Sequence, residues 1–422
     1  MPLSVPVETL DYILELAVAF PDVANNQFAH FSAYPETHAP PLRDIKLSTQ
    51  TLFSLTLVCR RWNTICTPRL YRCLTIVDTT ATDALLHTLE HSQTTTAVSG
   101  RFPPLGSLTR HLIIALSDLP GPGREDERLH TRVLRRFGKL DQLARHLPHL
   151  QILSISISTQ EMWNLPVPYY GKDFAAILAQ TCAQSLRELH LYHQPSVLFS
   201  HKELRQLLES APNLVIIAGA GASGCIGCPA ALPNLPDLKY LSINNERGHC
   251  DSTGHEDNRT PSLDHLHILP SRSSNFWVHL LSAQGARLTS VSLDLRYRFY
   301  LDMEDCCNCL SMLGSLCPNL THLKIAVESW PSFSKLDPIP SVQQLGISLK
   351  VGKTAVAAIC EALGTIRSSS LKVVHLVDPY MPDWFASPLS ENVESAWSPL
   401  VGHTFLVVDH HGRELGPPGR SS

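Results

Sequence analysis

The residues of this chain that most readily carry chemistry are its cysteines and histidines. Cys225 and Cys228 form a Cys-x-x-Cys pair, and His249 and Cys250 follow after a gap of 20 residues. Thiolate and imidazole are zinc ligands, and two such knuckles at suitable spacing can close a tetrahedral site. Here the second pair is adjacent in sequence. Neighbours on an extended chain point to opposite sides, so both are hard to aim at one ion. The surrounding GAGASGCIGCP reads as a glycine-rich loop, and no metal is expected. Cys306, Cys307 and Cys309 resemble a cluster until they are placed on a helix. Cys306, Cys309, Leu310, Leu313 and Cys317 then recur at i, i+3, i+4, i+7 and i+11, a core stripe in which free cysteine packs as a small hydrophobe. GAGASG, Gly219 to Gly224, follows an apolar LVII. CIGCPAALP comes where a phosphate-binding helix would have to begin, so no nucleotide cofactor is expected. The 21 histidines show no Ser/His/Asp or Cys/His arrangement by spacing, and no catalytic residue is assigned.

Composition narrows the classes further. A formal charge of −4 with a pI near 6.6 creates no overall field for nucleic acid or an anionic membrane. The basic run Arg128, Arg132, Arg135, Arg136, Lys139 and Arg145 reads as the solvated face of a helix. The longest apolar run, Leu214 to Ala222, is far shorter than the roughly 18 residues of a membrane helix. Glu8, Asp11 and Glu15 occupy the N-terminus where a signal peptide needs a basic start and a clean apolar stretch. A reducing compartment, cytoplasm or nucleus, is therefore expected, with the 12 cysteines as free thiols.

The elements that would position any site are written as a repeat. The pattern L-x-x-L-x-I recurs at Leu150/Leu153/Ile155, Leu186/Leu189/Leu191, Leu238/Leu241/Ile243 and Leu263/Leu266/Ile268. It continues at Leu288/Val291/Leu293, Leu320/Leu323/Ile325, Val342/Leu345/Ile347 and Leu371/Val374/Leu376. Looser copies lie at Leu108 to Ile114 and Leu214 to Ile217. The mean period is roughly 29 residues, within the leucine-rich-repeat range. Helical patterns fall between the strands, at Leu129 to Leu147, Asp173 to Thr181, Lys202 to Ala211, Phe276 to Ala283, Glu304 to Cys317 and Ala355 to Ile366. Ser117 to Arg128 reads as a loop. Trp384, Phe385, Trp397 and the Phe405 to Asp409 strand are candidate C-terminal caps, and 411–422 is a candidate disordered tail.

Ahead of the repeat lies Leu52 to Ile76. Leu52, Leu55, Cys59, Trp62 and Cys66 fit one helical stripe, which Pro68 is expected to end. The LVCRRW string, Leu57 to Trp62, and PRLYR, Pro68 to Arg72, resemble the second half of an F-box. VPVETLDYIL, Val5 to Leu14, resembles its opening. The insertion Phe20 to Leu47, rich in proline, departs from the family's short connection, and Ser48 or Thr49 is the expected cap for the helix after it. The chain thus resembles the F-box proteins with leucine-rich repeats that are abundant in mushroom-forming fungi.

The resemblance implies an α/β solenoid, a leucine-rich-repeat horseshoe of short parallel strands alternating with helices. A small all-α F-box at 1–76, with its loop at about 20–47, precedes the repeats at 77–410. It implies a substrate-recognition subunit of a ubiquitin ligase, docking a Skp-type adaptor and through it a cullin, while a protein substrate sits on the repeats. The docking candidates are Val5, Pro6, Leu10, Ile13, Leu14, Leu55, Leu57, Val58, Cys59 and Trp62. Some of these must pack the module against itself, and sequence does not separate the two roles. Strand alternation assigns the concave face to His190, Tyr192, Tyr240, Ser242, Asn244, His265, His267, Asp294, His322, Lys324 and His375. Those residues either hold the substrate or are merely solvated. The alternatives to a ligase subunit are an interaction scaffold outside any ligase, and a zinc protein or enzyme using Cys225 to Cys250.

Overall fold

A strand whose alternate residues are leucine or isoleucine needs a neighbour on each side and a helix across its apolar face, and the repeated motif supplies both. The computed structural model describes residues 6, 8–10, 12, 14, 42–77, 80–99, 103–116, 139–157, 173–193, 199–219, 232–244, 260–269, 275–295, 303–327, 339–349, 355–366, 368–377, 397–409 and 412–415. It divides into two compact units after Leu238.

In the first unit the strands are β1 (Cys73–Ile76), β2 (His111–Leu116), β3 (Ile152–Ile157), β4 (Glu188–His193) and β5 (Ile216–Ala218), each parallel to the next. Its helices are α1 (Leu42–Thr56), α2 (Arg60–Leu70), α3 (Thr80–Ser99), α4 (Leu105–Leu108), α5 (Phe174–Thr181) and α6 (His201–Ser210). Residues 8–10, 12 and 14 and residues 139–145 are also helical. The second unit carries β6 (Tyr240–Asn244), β7 (His265–Leu269), β8 (Ser290–Asp294), β9 (His322–Val327), β10 (Gln344–Leu349), β11 (Val373–Leu376) and β12 (Leu406–Val408), again all parallel in sequence order. Its helices are α7 (Asn275–Gln284), α8 (Met303–Leu316) and α9 (Ala355–Gly364). Each unit is a leucine-rich-repeat-like α/β solenoid.

The expected anchors form the cores. Leu153, Leu189 and Ile217 lie in one register row of the first unit, and Leu241, Leu266, Val291, Leu323, Leu345 and Val374 in one row of the second. All are buried. Backbone pairing follows one rule. The carbonyl just ahead of a strand accepts the first two amides of the next rung: Arg72 from 110 and 111, Arg110 from 151 and 152, Gln151 from 187 and 188, all between 2.8 and 3.0 Å. Asp264, Thr289, Thr321 and Gln343 do the same in the second unit. Side chains support the turns ahead of the strands, where Asn213 Nδ2 donates to the Gln184 carbonyl at 2.8 Å and Asn319 Nδ2 to that of Ala286 at 2.7 Å. The loose copy at Leu108 is explained by a one-residue shift. Thr109 takes the buried anchor position, and its hydroxyl donates to the Tyr71 carbonyl at 2.9 Å.

Several expectations are corrected. The stripe from Leu52 to Cys66 does not lie on one helix. Leu57 and Val58 close α1 with bonds to Ser54 and Leu55, Cys59 is extended at φ −163 and ψ 169, and α2 begins afresh at Arg60. Asn63 Nδ2 donates back to the Thr56 carbonyl at 3.2 Å and stabilises the corner. Pro68 does not end α2 but sits inside its last turn, and the helix runs on to Leu70. The helix after the insertion starts at Leu42, not at Ser48, and the Thr49 hydroxyl donates within it to the Ile45 carbonyl at 2.8 Å. β1 lies within 1–76 yet pairs with β2 as the first rung of the sheet. The C-terminal cap includes buried Trp397 and Phe405, and β12 is closed by an antiparallel bridge between Val408 and Glu414. Trp384, Phe385, Ser117 to Arg128 and the tail from 416 lie outside the described residues.

Gly219 has φ 113, and a Cβ there would run into the Leu191 carbonyl. Gly219→Ala is expected to lower the unfolding free energy by about 2 kcal/mol, read as a fall in the urea midpoint with m unchanged.

Candidate functional site

Two kinds of surface emerge, one apolar and exposed, the other polar and buried. The first is built by the corner between α1 and α2. Leu14, Leu52 and Cys66 are fully buried as the small core of the helical module, with Leu55, Trp62, Ile65 and Leu70 packed against them. The chain then turns outward. Leu57 is 71% exposed, Val58 64%, and Cys59 is also exposed. Phe53, one turn before Leu57, and Leu47 further back on α1 are more than half exposed, as is Tyr12. The structure thereby separates the docking candidates. Leu14 serves the core, Leu55 and Trp62 are half-buried against it, Leu10 is half-buried, and Pro6, Leu57, Val58 and Cys59 are exposed. Val5 and Ile13 lie outside the described residues.

The second surface is the face of the sheet opposite the leucine anchors. In the first unit, register places Cys73, His111, Ile152, Glu188 and Ile216 in one row and Thr75, Ile113, Ser154, His190 and Ala218 in the next. His190 Nε2 lies 3.0 Å from Glu188 Oε2, and the Tyr192 hydroxyl 3.5 Å from His190 Nδ1, with the two rings stacked at 6.2 Å. A Tyr192 hydroxyl donating to Nδ1 and an Nε2–H donating to the carboxylate satisfy all three groups. His111 Nε2 lies 3.1 Å from Ser154 Oγ. Burial, and then the nearby His190, hold the His111 imidazole down at about 3; burial, and then Glu188, push the Tyr192 phenol up.

In the second unit, three imidazoles are held through Nδ1. His265 lies 2.5 Å from Asp264 Oδ1, His267 2.9 Å from Ser242 Oγ, and His322 2.7 Å from Thr321 Oγ1. His267, Ser292, Lys324, Gly346 and His375 form one register row. The stripe is not merely solvated: His190, Tyr192, Tyr240, Ser242, His265, His267, Asp294 and Lys324 are buried, while His322 and His375 are half-buried. Burial lowers the His375 imidazole. The Asn244 side chain lies outside the described residues.

No family model matches this chain, and no curated protein matches it. Among solved structures it is similar to the leucine-rich repeat-containing protein LegL7 from Legionella pneumophila. The two are 18% identical with a TM-score of 0.37, over 66% of this chain and 89% of that one.

Among the described residues no group of three or more His, Cys, Asp or Glu is arranged to hold a metal ion. Cys225, Cys228, His249 and Cys250 lie outside them, as do the side chains of Cys306, Cys307 and Cys309; Cys317 is buried in the core. No described helix is long and apolar enough to cross a membrane. Of the basic run, Lys139 pairs with Asp83. Sequence reading missed Glu188, His111, Ser154 and Ser156. Alternation carried two residues further back along β4, from His190, finds Glu188, and alternation applied to β2 and β3 finds the others.

Because folded His111 titrates near 3, well below its ordinary 6.5, the unfolded chain binds the extra proton between those values. Its contribution to stability is fully present above about pH 6.5 and is lost as pH falls toward 3. His111→Gln is expected to flatten the dependence of unfolding free energy on pH between about 4 and 6 by up to one proton, or about 1.4 kcal/mol per pH unit, in urea titrations at each pH.

Proposed function

We propose that this chain is a non-catalytic interaction protein that docks a Skp-type adaptor through its helical module and holds a protein substrate on its repeats. It would thereby join a cullin-based ubiquitin ligase in the cytoplasm or nucleus, with ubiquitin transferred by a separate enzyme. The observation that carries this reading is the split within LVCRRW. Leu57, Val58 and Cys59 face solvent at the corner, while Trp62 packs inward and Leu52, on α1, is fully buried. A module stable on its own terms has no use for two adjacent exposed aliphatic side chains, whereas a docking face does. Pro6, Tyr12 and Phe53 extend the exposed set, and Leu14, Leu52 and Cys66 hold it in shape.

Among the described face residues assigned by alternation, the half-buried His322 and His375 keep the most side-chain surface for a protein ligand. Lys324 is the single permanently basic residue among the face residues assigned by alternation, so an arginine-type phosphate reader is disfavoured on this face.

Val58→Asp is expected to abolish co-purification with a Skp adaptor while leaving the thermal midpoint within about 2 °C, since an exposed charge costs the fold little but is unpaired in an apolar interface. Leu52→Ala, by contrast, is expected to cost about 2–5 kcal/mol of stability. Failure of the purified wild-type chain to bind an adaptor would remove the ligase reading and leave an interaction scaffold.

A further inference from the structure

The helical module is not joined to the sheet by a linker. At one end, α2 runs directly into β1: the Tyr71 carbonyl accepts from the Thr109 hydroxyl, and the Arg72 carbonyl from the amides of Arg110 and His111. At the other end, α1 makes a second attachment. Ile45, in its first turns, is 1% exposed and is buried with Cys73 of β1 and with Ile113 and Ala115 of β2. Those three residues belong to the polar-face side of the sheet, since Leu74, Leu112 and Ile114 fill the opposite side. The same helix places Leu52 in the module core and ends at the exposed Leu57–Val58 corner. From Ile45 to Thr56 it spans about 17 Å.

We infer that α1 is a strut shared by the helical module and the first rungs of the repeat. It fixes the Leu57–Val58 corner relative to the sheet's polar face, and the two open as one cooperative unit, not as hinged domains. Ile45 is the positioning residue. Its side chain lies at the far end of the helix from the Leu57–Val58 corner, at the point where the helix bears on the face that carries His111 and Ser154. That the corner docks an adaptor rests on the function proposed above; the shared opening does not.

Hydrogen exchange read by mass spectrometry on the full chain tests this, following peptides of α1 and of β1–β2. In the wild type the slowest amides of both are expected to show matched protection. Ile45→Ala, which leaves a cavity at the junction, is expected to speed both sets by about tenfold or more, and Ile45→Val to restore most of the protection of both. Faster exchange in α1 with β1–β2 unmoved would overturn the strut, as would wild-type protection of β2 far above that of α1. The wild-type comparison decides the matter even if Ile45→Ala fails to fold. Exchange is measured without adaptor, so a wild type that binds none overturns the proposed function and leaves this test intact.

Discussion

Each rung of this protein has an apolar row that it cannot bury alone. Leu153 is covered only because Leu112 and Leu189 flank it in register, and those in turn need Leu74 and Ile217. Stacking is enforced by the main chain as much as by the leucines. From Arg72 to Arg187 and from Lys239 to Gln343, a carbonyl ahead of one strand takes the first two amides of the next, so a rung out of register would leave buried donors without acceptors. With the leucines in, the intervening residues are committed to the other face.

That commitment explains why the polar face is ordered. Tyr192, His190 and Glu188 sit two residues apart on one strand and satisfy one another; His111 spends Nε2 on Ser154; His265 and His267 are held by Asp264 and Ser242. These contacts orient imidazoles and neutralise polarity. Burial keeps His111 neutral across the physiological range. The exposed corner at Leu57 and Val58 is the reverse case, apolar surface left in water while the residues around it complete a core.

Much of the repeat was readable in advance because period-two alternation is a local property. Leu186, Leu189 and Leu191 announce a strand, its register and its buried side without reference to any partner. α3 was not readable, because its apolar residues are thinly spread among threonines. The shift that puts Thr109 at an anchor position was hidden too, since a threonine is acceptable there only when a carbonyl such as that of Tyr71 lies within reach. The break at Cys59 escaped for a similar reason: a helical stripe can run through a corner unnoticed when both helices use the same side.

The sequence by itself determined the alternation of strand and helix, the buried anchors and the LVCRRW resemblance, because each rests on residue type and spacing alone. The tertiary structure decided which of Leu52, Leu57, Val58 and Trp62 pack and which face solvent. It also decided that Ile45 is buried against β1 and β2, and that His190, His265 and His267 of the polar face are buried and paired. Exposure and partnership depend on what lies across from a side chain. That is a relation between distant segments, and spacing along the chain does not encode it.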